Sequence, residues 1–339
     1  MPQISAIVPA RDEEGNIEAA VKSLAEQSEI AEIIVVDDQS TDRTPEILLR
    51  LAEEIPRLRV LQAGELPRGW VGKNHALWIG AQAAKCDWLL FTDADTVLHP
   101  DAAERAMEDA QRYDAALVSY SPEQVTRSVL EHALIPFIYC RLARKFRFAA
   151  VNDASLPDAA ANGQFILIRR EAYEKTGGHR AVADRVLEDV ALARCVKLAG
   201  FGLHFAPGEG IARTRMYRSF GAMWQGWTKN LYALLGGTLA TGARELAVAF
   251  PWLFVILFFT AIFSRGREGE WFLAAAVAAL TIDHIWYARE LATNRYSARF
   301  IIYYGVAACL YAATVVASAW KYRRGKITWK GREYPVSEQ

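Results

Sequence analysis

Two short apolar runs, residues 33–36 and 88–92, are each followed at once by acids: Asp37 and Asp38 after the first, Asp93 and Asp95 after the second. Runs of this kind read as buried strands of a parallel sheet, and ligands of such sheets bind beyond the strand carboxyl ends. A single acid there is commonly a turn former or helix cap. Two pairs at equivalent ends point to a ligand instead. Asp93 and Asp95, one residue apart in a turn, can offer one oxygen to a divalent cation and another to a ribose or a shared water. Mg2+ or Mn2+ prefers oxygen ligands and completes its shell with substrate phosphates and water. A carboxylate after the second strand can accept the imide N–H of uracil, which adenine lacks. Metal plus base recognition describes a nucleotide-sugar site.

Lys73, in Gly72-Lys73-Asn74, opens a helix and is placed to meet a diphosphate beside a helix N-terminus. A Walker loop is excluded, because Pro67 stands where its first glycine belongs and Asn74 replaces the Ser/Thr needed on magnesium. No GxGxxG follows the first strand, which argues against a dinucleotide oxidoreductase. His75, His99, His132, His179, His204 and His284 show no metal-binding spacing and are expected to be structural, and the four cysteines form no CxxC, which argues against a disulfide scaffold or zinc module.

The elements that must hold these residues alternate. A strand over 4–10 precedes a helix in which Ile17, Ala20, Val21 and Leu24 recur at helical spacing behind Asn16 as N-cap. Thr44 and Pro45 open the next helix, whose inner face carries Ile47, Leu48, Leu51 and Ile55. A helix over 101–111 and a strand over 115–120 follow. The class is α/β: a Rossmann-like, mostly parallel sheet with helices on both faces.

Lys+Arg and Asp+Glu both number 39 in the 339 residues, so there is no case for a nucleic-acid binder. From Leu246 onward, however, 11 basic residues face 6 acidic ones, leaving 28 against 33 before it, about +5 against −5. Residues 246–263 and 300–320 carry no formal charge, and both are long enough to span a bilayer. Residues 271–288 are a weaker candidate, because Asp283 and His284 are costly in lipid. The expected organisation is a catalytic domain over 1–235, a membrane region over 236–320 and a basic tail over 321–339. Lys321, Arg323, Arg324, Lys326, Lys330 and Arg332 of that tail read as a cytoplasmic anchor. Three full spans would put it on the opposite side from the first domain, so one segment is re-entrant or interfacial, or the charge rule fails. No signal peptide precedes Ile4, and the first domain is expected to face the cytoplasm at the inner membrane.

In this order and spacing the residues resemble a family 2 glycosyltransferase of the GT-A fold. The pieces are Ser5-Ala6-Ile7-Val8-Pro9-Ala10-Arg11-Asp12-Glu13-Glu14, Val36-Asp37-Asp38-Gln39-Ser40-Thr41-Asp42, Gly72-Lys73-Asn74, Asp93-Ala94-Asp95, Gly163-Gln164-Phe165, Gly177-Gly178 and Glu188-Asp189. The resemblance implies inverting transfer from a nucleotide diphosphate sugar, probed first as a UDP-sugar, with a divalent metal. By position it gives Pro9, Glu13, Asp37, Asp38, Lys73 and Asp93 to the nucleotide sugar, Asp93 and Asp95 to the metal, and Asp189 to the general base with Glu188 as runner-up. Gly163, Gln225, Trp227 and Lys229 fall to the acceptor side.

The family's Gln-x-x-Arg-Trp motif is here Gln225-Gly226-Trp227-Thr228-Lys229-Asn230, a departure that argues against a processive polysaccharide synthase. With Met216-Tyr217-Arg218 and the terminal Trp329-Lys330-Gly331-Arg332-Glu333-Tyr334, it is similar to membrane glucosyltransferases of hydroxychlorobactene and diaponeurosporenoate, with hopanoid-associated members close by. The implied acceptor is a lipid or isoprenoid hydroxyl. Competing readings are a polyprenyl-phosphate acceptor, which needs no base, and a membrane scaffold that only senses a nucleotide. Residues 129–148 read either as a lipid-surface helix or as a packed one with a basic end. Trp224, Trp227 and Tyr232 are either an interfacial belt or core.

Overall fold

The computed structural model describes residues 3–329 and 332–335. It contains two compact units, one built mainly from 3–125 and 146–216, the other from 126–145 and 217–329. Lys330 and Gly331 of the tail motif lie outside the described residues.

The first unit opens with β1 (Ile4–Ala10), α1 (Ile17–Ala25), β2 (Ile30–Asp37), α2 (Thr44–Glu54), β3 (Leu58–Gln62), α3 (Gly72–Ala83) and β4 (Trp88–Phe91). β1 runs parallel to both β2 and β4, and β2 parallel to β3. Alternate residues of these strands feed two cores. Ala6, Val8 and Val35 pack in one with Leu24 and Leu48, and Ile7, Ile34 and Val36 pack in the other with Ala76 and Leu77. Apolar side chains on both faces are what a helix-covered parallel sheet requires.

The chain continues through β5 (Thr96–Leu98), α4 (Ala102–Arg112) and β6 (Leu117–Gln124), leaves for α5 (Val129–Lys145) in the second unit, and returns. It then adds α6 (Phe148–Asn152), β7 (Ile166–Arg169), α7 (Arg170–Lys175), α8 (Gly178–Ala181), α9 (Glu188–Leu198) and β8 (Leu203–Thr214). The sheet order is β3-β2-β1-β4-β7-β6-β8-β5. Its first four strands are parallel, whereas β7 runs antiparallel to β4 and β6, and β5 antiparallel to β8. The aspartate pairs stand at the carboxyl ends of β2 and β4. Asn16 heads α1 without capping it; its side chain donates to Glu13 Oε2 at 2.8 Å. Pro45 does open α2.

Gly80 lets α3 lie against β1, because a β-carbon there would strike the Ile7 side chain. That approach brings the first turn of α3 to the β4 end. Gly80→Ala should therefore destabilise the protein by about 1–3 kcal/mol through overpacking. An unchanged thermal midpoint would show that α3 can move away freely.

The second unit contains α5, α10 (Phe220–Leu234), α11 (Leu239–Ala249), α12 (Trp252–Phe263), α13 (Arg267–Thr293) and α14 (Tyr304–Arg323), with a 3-10 segment, Ala298–Tyr303, before α14. Residues Arg267–Thr293 and Ala298–Arg323 are long and apolar enough to cross a membrane. The uncharged run 246–263 is not one helix: α11 and α12 meet at Phe250 and Pro251 with a 59° bend. Proline has no N–H to donate and drives the preceding residue out of the helical region; Phe250 has φ −99° and ψ 139°. Around α12, Leu253, Ile256, Phe259 and Phe263 are all exposed, as suits a helix surrounded by lipid.

The apolar side of α5 is covered by protein, which answers the surface-helix reading. Leu134, Phe137 and Ile138 are buried, and Phe137 packs among Tyr287, Tyr304 and Tyr311. Arg141 pairs through Nε and Nη2 with Glu245, and Arg144 with Glu290. Trp227 and Tyr232 are core residues, not a surface belt.

Candidate active site

β4 ends in a turn that is tied down on both sides. Thr92 Oγ1 donates to the Gln164 carbonyl at 2.8 Å, and Thr214 Oγ1, at the end of β8, donates to the Asp95 carbonyl at 3.1 Å. Thr96 N–H closes the turn onto the Asp93 carbonyl. The turn that carries Asp93 and Asp95 is thereby fixed at the carboxyl end of β4, a central strand.

Lys73 reaches this turn from the first turn of α3. Its Nζ lies 2.7 Å from Asp93 Oδ1 and 2.7 Å from Glu188 Oε1. Asp189 follows on the same turn of α9, where Oδ2 accepts the Gly163 N–H at 3.0 Å and Oδ1 accepts the Val190 N–H at 2.8 Å. Gly163 leaves the room in which these groups meet. A β-carbon there would stand 3.0 Å from Lys73 Nζ, 3.3 Å from Glu188 Oε1 and 3.6 Å from Asp189 Oδ2. Three regions far apart in the chain thus share one cleft with the β4 aspartates.

The electrostatics follow from crowding acids in a half-buried site. Burial, then the charge of Glu188, raises Asp189 to about 6, against the opposing pull of Lys73 and two backbone N–H groups. Burial, then Asp93 and Glu13, raises Asp95 to about 7. Asp93 is also raised by burial, although Lys73 works against it. Burial alone would lower Lys73, but Asp93, Glu188 and Asp189 outweigh it and hold the ammonium well above its ordinary range. Because Lys73 holds Asp189 down, Lys73→Met should move the acid limb of any Asp189-dependent rate profile above pH 6. A profile that stays in place would show the two groups to be uncoupled.

On the nucleotide side, Pro9 lies near the end of β1, and Asp37 and Asp38 end β2. Both acids are buried, but Asp37 already serves its own turn: Oδ1 accepts the Ser40 hydroxyl at 2.5 Å. The Asp38 N–H donates to the Ala10 carbonyl, and its own carbonyl accepts from Arg11 Nη1. The loops after β1 and β2 are laced together, with Thr41 N–H on Asp12 Oδ1 at 2.7 Å and Glu13 N–H on Thr44 Oγ1 at 2.8 Å. Asp12 (φ 51°) and Gln39 (φ 60°) sit in the left-handed region, which is costly for residues other than glycine and is a mark of functional loops. Sequence reasoning passed over both: aspartate tolerates a positive φ better than most residues, but its presence alone does not announce one, and glutamine gives no sign at all.

The first unit therefore brings together Lys73, Asp93, Asp95, Gly163, Glu188 and Asp189. Gln225, Trp227 and Lys229 belong to α10 of the second unit. Gln225 is exposed, and Trp227 is buried with its ring edge-on to Tyr139 and Tyr217. His179 is buried with Nδ1 3.0 Å from the Tyr173 hydroxyl, and burial pulls it down to about 3, so it is a neutral structural residue.

Residues 5–177 match the family described as Glycosyl transferase family 2. The chain belongs to this family. Among curated relatives of this family 2 member, a 4,4'-diaponeurosporenoate glycosyltransferase of Staphylococcus haemolyticus (strain JCSC1435) is 31% identical over 231 residues, covering 67% of this chain and 60% of that protein. This chain thus matches less than two thirds of that relative's length. One of the same name from Staphylococcus aureus (strain USA300) is 26% identical over 345 residues, covering 99% of this chain and 89% of that protein. Among solved structures, a mannosyltransferase of Pyrobaculum calidifontis in complex with GDP-Man and Mn2+ superposes with a TM-score of 0.56 at 20% identity, over 94% of this chain and 86% of that one. The fold is GT-A, followed by C-terminal helices able to cross a membrane.

Proposed function

We propose that this family 2 glycosyltransferase moves a sugar, with inversion, from a UDP-sugar to a hydroxyl of a carotenoid or other isoprenoid lipid. It would do so at the cytoplasmic face of the inner membrane, as a multi-pass protein. The observation that carries this reading is the meeting of Asp189 with Lys73, Asp93 and Glu188 in one cleft. The names of the curated relatives support a carotenoid-type acceptor.

In this reading the acceptor oxygen bonds to the anomeric carbon as the bond from that carbon to the diphosphate breaks. The electron pair leaves with UDP, and the hydroxyl proton passes to an Asp189 carboxylate oxygen. A base raised to about 6 is ionised at neutral pH yet basic enough to accept that proton. Gly163 N–H holds one of its oxygens in place, and Lys73 offsets charge gathering on the diphosphate. This supports a neutral hydroxyl over a phosphate acceptor, which is already ionised.

The residues fit a divalent cation. Glu13, Asp93, Asp95, Glu188 and Asp189 set five carboxylates against the ammonium of Lys73. Asp93 and Asp95 would hold Mg2+ or Mn2+, which supplies positive charge to the leaving diphosphate. Among the described residues no group of three or more His, Cys, Asp or Glu side chains forms a ligand set. Phosphates and water would complete the shell, as magnesium prefers.

The test is incubation of membranes carrying the full chain with radiolabelled UDP-glucose, UDP-galactose, UDP-N-acetylglucosamine and GDP-mannose, then organic extraction and mass spectrometry. Label from one UDP-sugar in the lipid phase is expected. Label confined to the aqueous phase with every donor would remove the lipid acceptor, and transfer from GDP-mannose alone would replace the donor.

A further inference from the structure

Asn74 is the member of Gly72-Lys73-Asn74 that the chemistry above leaves without a task. It is fully buried. Its Nδ2 donates to the carbonyls of Val182, Ala183 and Arg185 at 2.8, 3.1 and 2.9 Å. An amide nitrogen carries two hydrogens, so three acceptors at these distances mean shared bonds and a backbone wrapped around the group. The neighbouring Val71 N–H adds a fourth tie, to the Ala183 carbonyl at 2.8 Å.

The wrapped segment, residues 182–187, has no helix or strand ladder of its own, and it ends at the residue before Glu188 and Asp189. One turn of α3 therefore acts on this segment twice. Lys73 pairs with Glu188 at its far end, and Asn74 grips its backbone a few residues earlier. Gly163 fixes the Asp189 carboxylate from the other side. Without the Asn74 amide, the segment would keep the Val71 tie at Ala183 but lose three of the backbone bonds that hold it to α3 ahead of the carboxylate.

We propose that Asn74 is a positioning residue for Asp189, acting by holding residues 182–187 against α3. The inference rests on the reading of Asp189 as the base. Its size follows from geometry, since a misplacement of about 1 Å can cost about 100-fold in rate while binding elsewhere is unaffected.

The test uses the full chain in lipid nanodiscs, with Asn74→Asp, which keeps the shape but turns an acceptor toward three carbonyls, and Asn74→Ala, which adds no charge. Hydrogen exchange by mass spectrometry should quicken across 182–190. Turnover in the transfer assay should fall about 100-fold, with KM for the UDP-sugar and affinity for UDP with Mn2+ within about twofold of wild type. Turnover and exchange both at wild-type values would overturn the proposal. So would a fall in turnover with wild-type exchange, because the effect would then bypass the segment. Loss of UDP binding in both variants would reassign Asn74 to general stability and overturn it too. Asp189→Asn, run alongside, separates the two failures: full turnover there sinks the base itself, whereas unaltered exchange in Asn74→Asp sinks the clamp alone.

Discussion

Asp189→Asn is expected to lower sugar transfer by about 10²–10⁴-fold, the range a general base contributes. Asparagine keeps one oxygen for the Gly163 N–H and gives up the acceptor of the Val190 N–H, a modest cost that should leave the fold and donor affinity in place while the proton acceptor is lost. The pH dependence gives the sharper signature. Asp189 works as the carboxylate, and burial with Glu188 beside it raises it to about 6. Wild-type turnover should be flat above pH 7 and fall about tenfold per unit below 6, as the base becomes protonated. The residual activity of Asp189→Asn should show no such limb. A variant that keeps both the rate and the limb would hand the role to Glu188, tested in turn by Glu188→Gln.

Chelation of divalent cations is expected to abolish transfer, and Mn2+ to stabilise the purified protein against heat. Five carboxylates clustered about the single charge of Lys73 repel one another, and a dication relieves that repulsion. A cation present at a hundredfold excess over its Kd adds about 2.7 kcal/mol to stability, a readable rise in thermal midpoint. Asp95→Asn should lose both the Mn2+-induced rise and the activity. Full transfer in EDTA, with no thermal response to Mn2+, would remove the cation from the account.

The acids after β2 and β4 were legible as acids at strand ends, and the structure does place both pairs at the carboxyl ends of those strands, but what each does was not legible, since Asp37 is engaged by the Ser40 hydroxyl of its own turn. Asp189 was not legible that way. It stands in the first turn of α9, where an acid is the ordinary complement to the helix dipole, so only the family resemblance singled it out. Lys73 was readable as a cation at a helix start, but its partner Glu188 lies more than a hundred residues on, and only tertiary packing joins them. The parallel half of the sheet followed from the alternation of strands and helices. The reversal at β7 did not, because a run such as Ile166–Arg169 carries no sign of direction. Nor does the sequence of α5 say that it packs with helices more than a hundred residues later. Pro251 was legible and was passed over, since a search for uncharged runs does not weigh a proline.

That proline governs how the uncharged run 246–263 can meet a bilayer. The 12 residues of α12 extend about 18 Å, little more than half of a roughly 30 Å hydrocarbon core. The pair α11 and α12, bent by 59°, is either a broken span or a re-entrant loop, so Arg267–Thr293 and Ala298–Arg323 are two helices able to cross, and the bent pair adds a third only if it counts as one span. Two crossings would return Arg323 and Arg324 to the face from which Leu239 set out, whereas three would leave them on the opposite one.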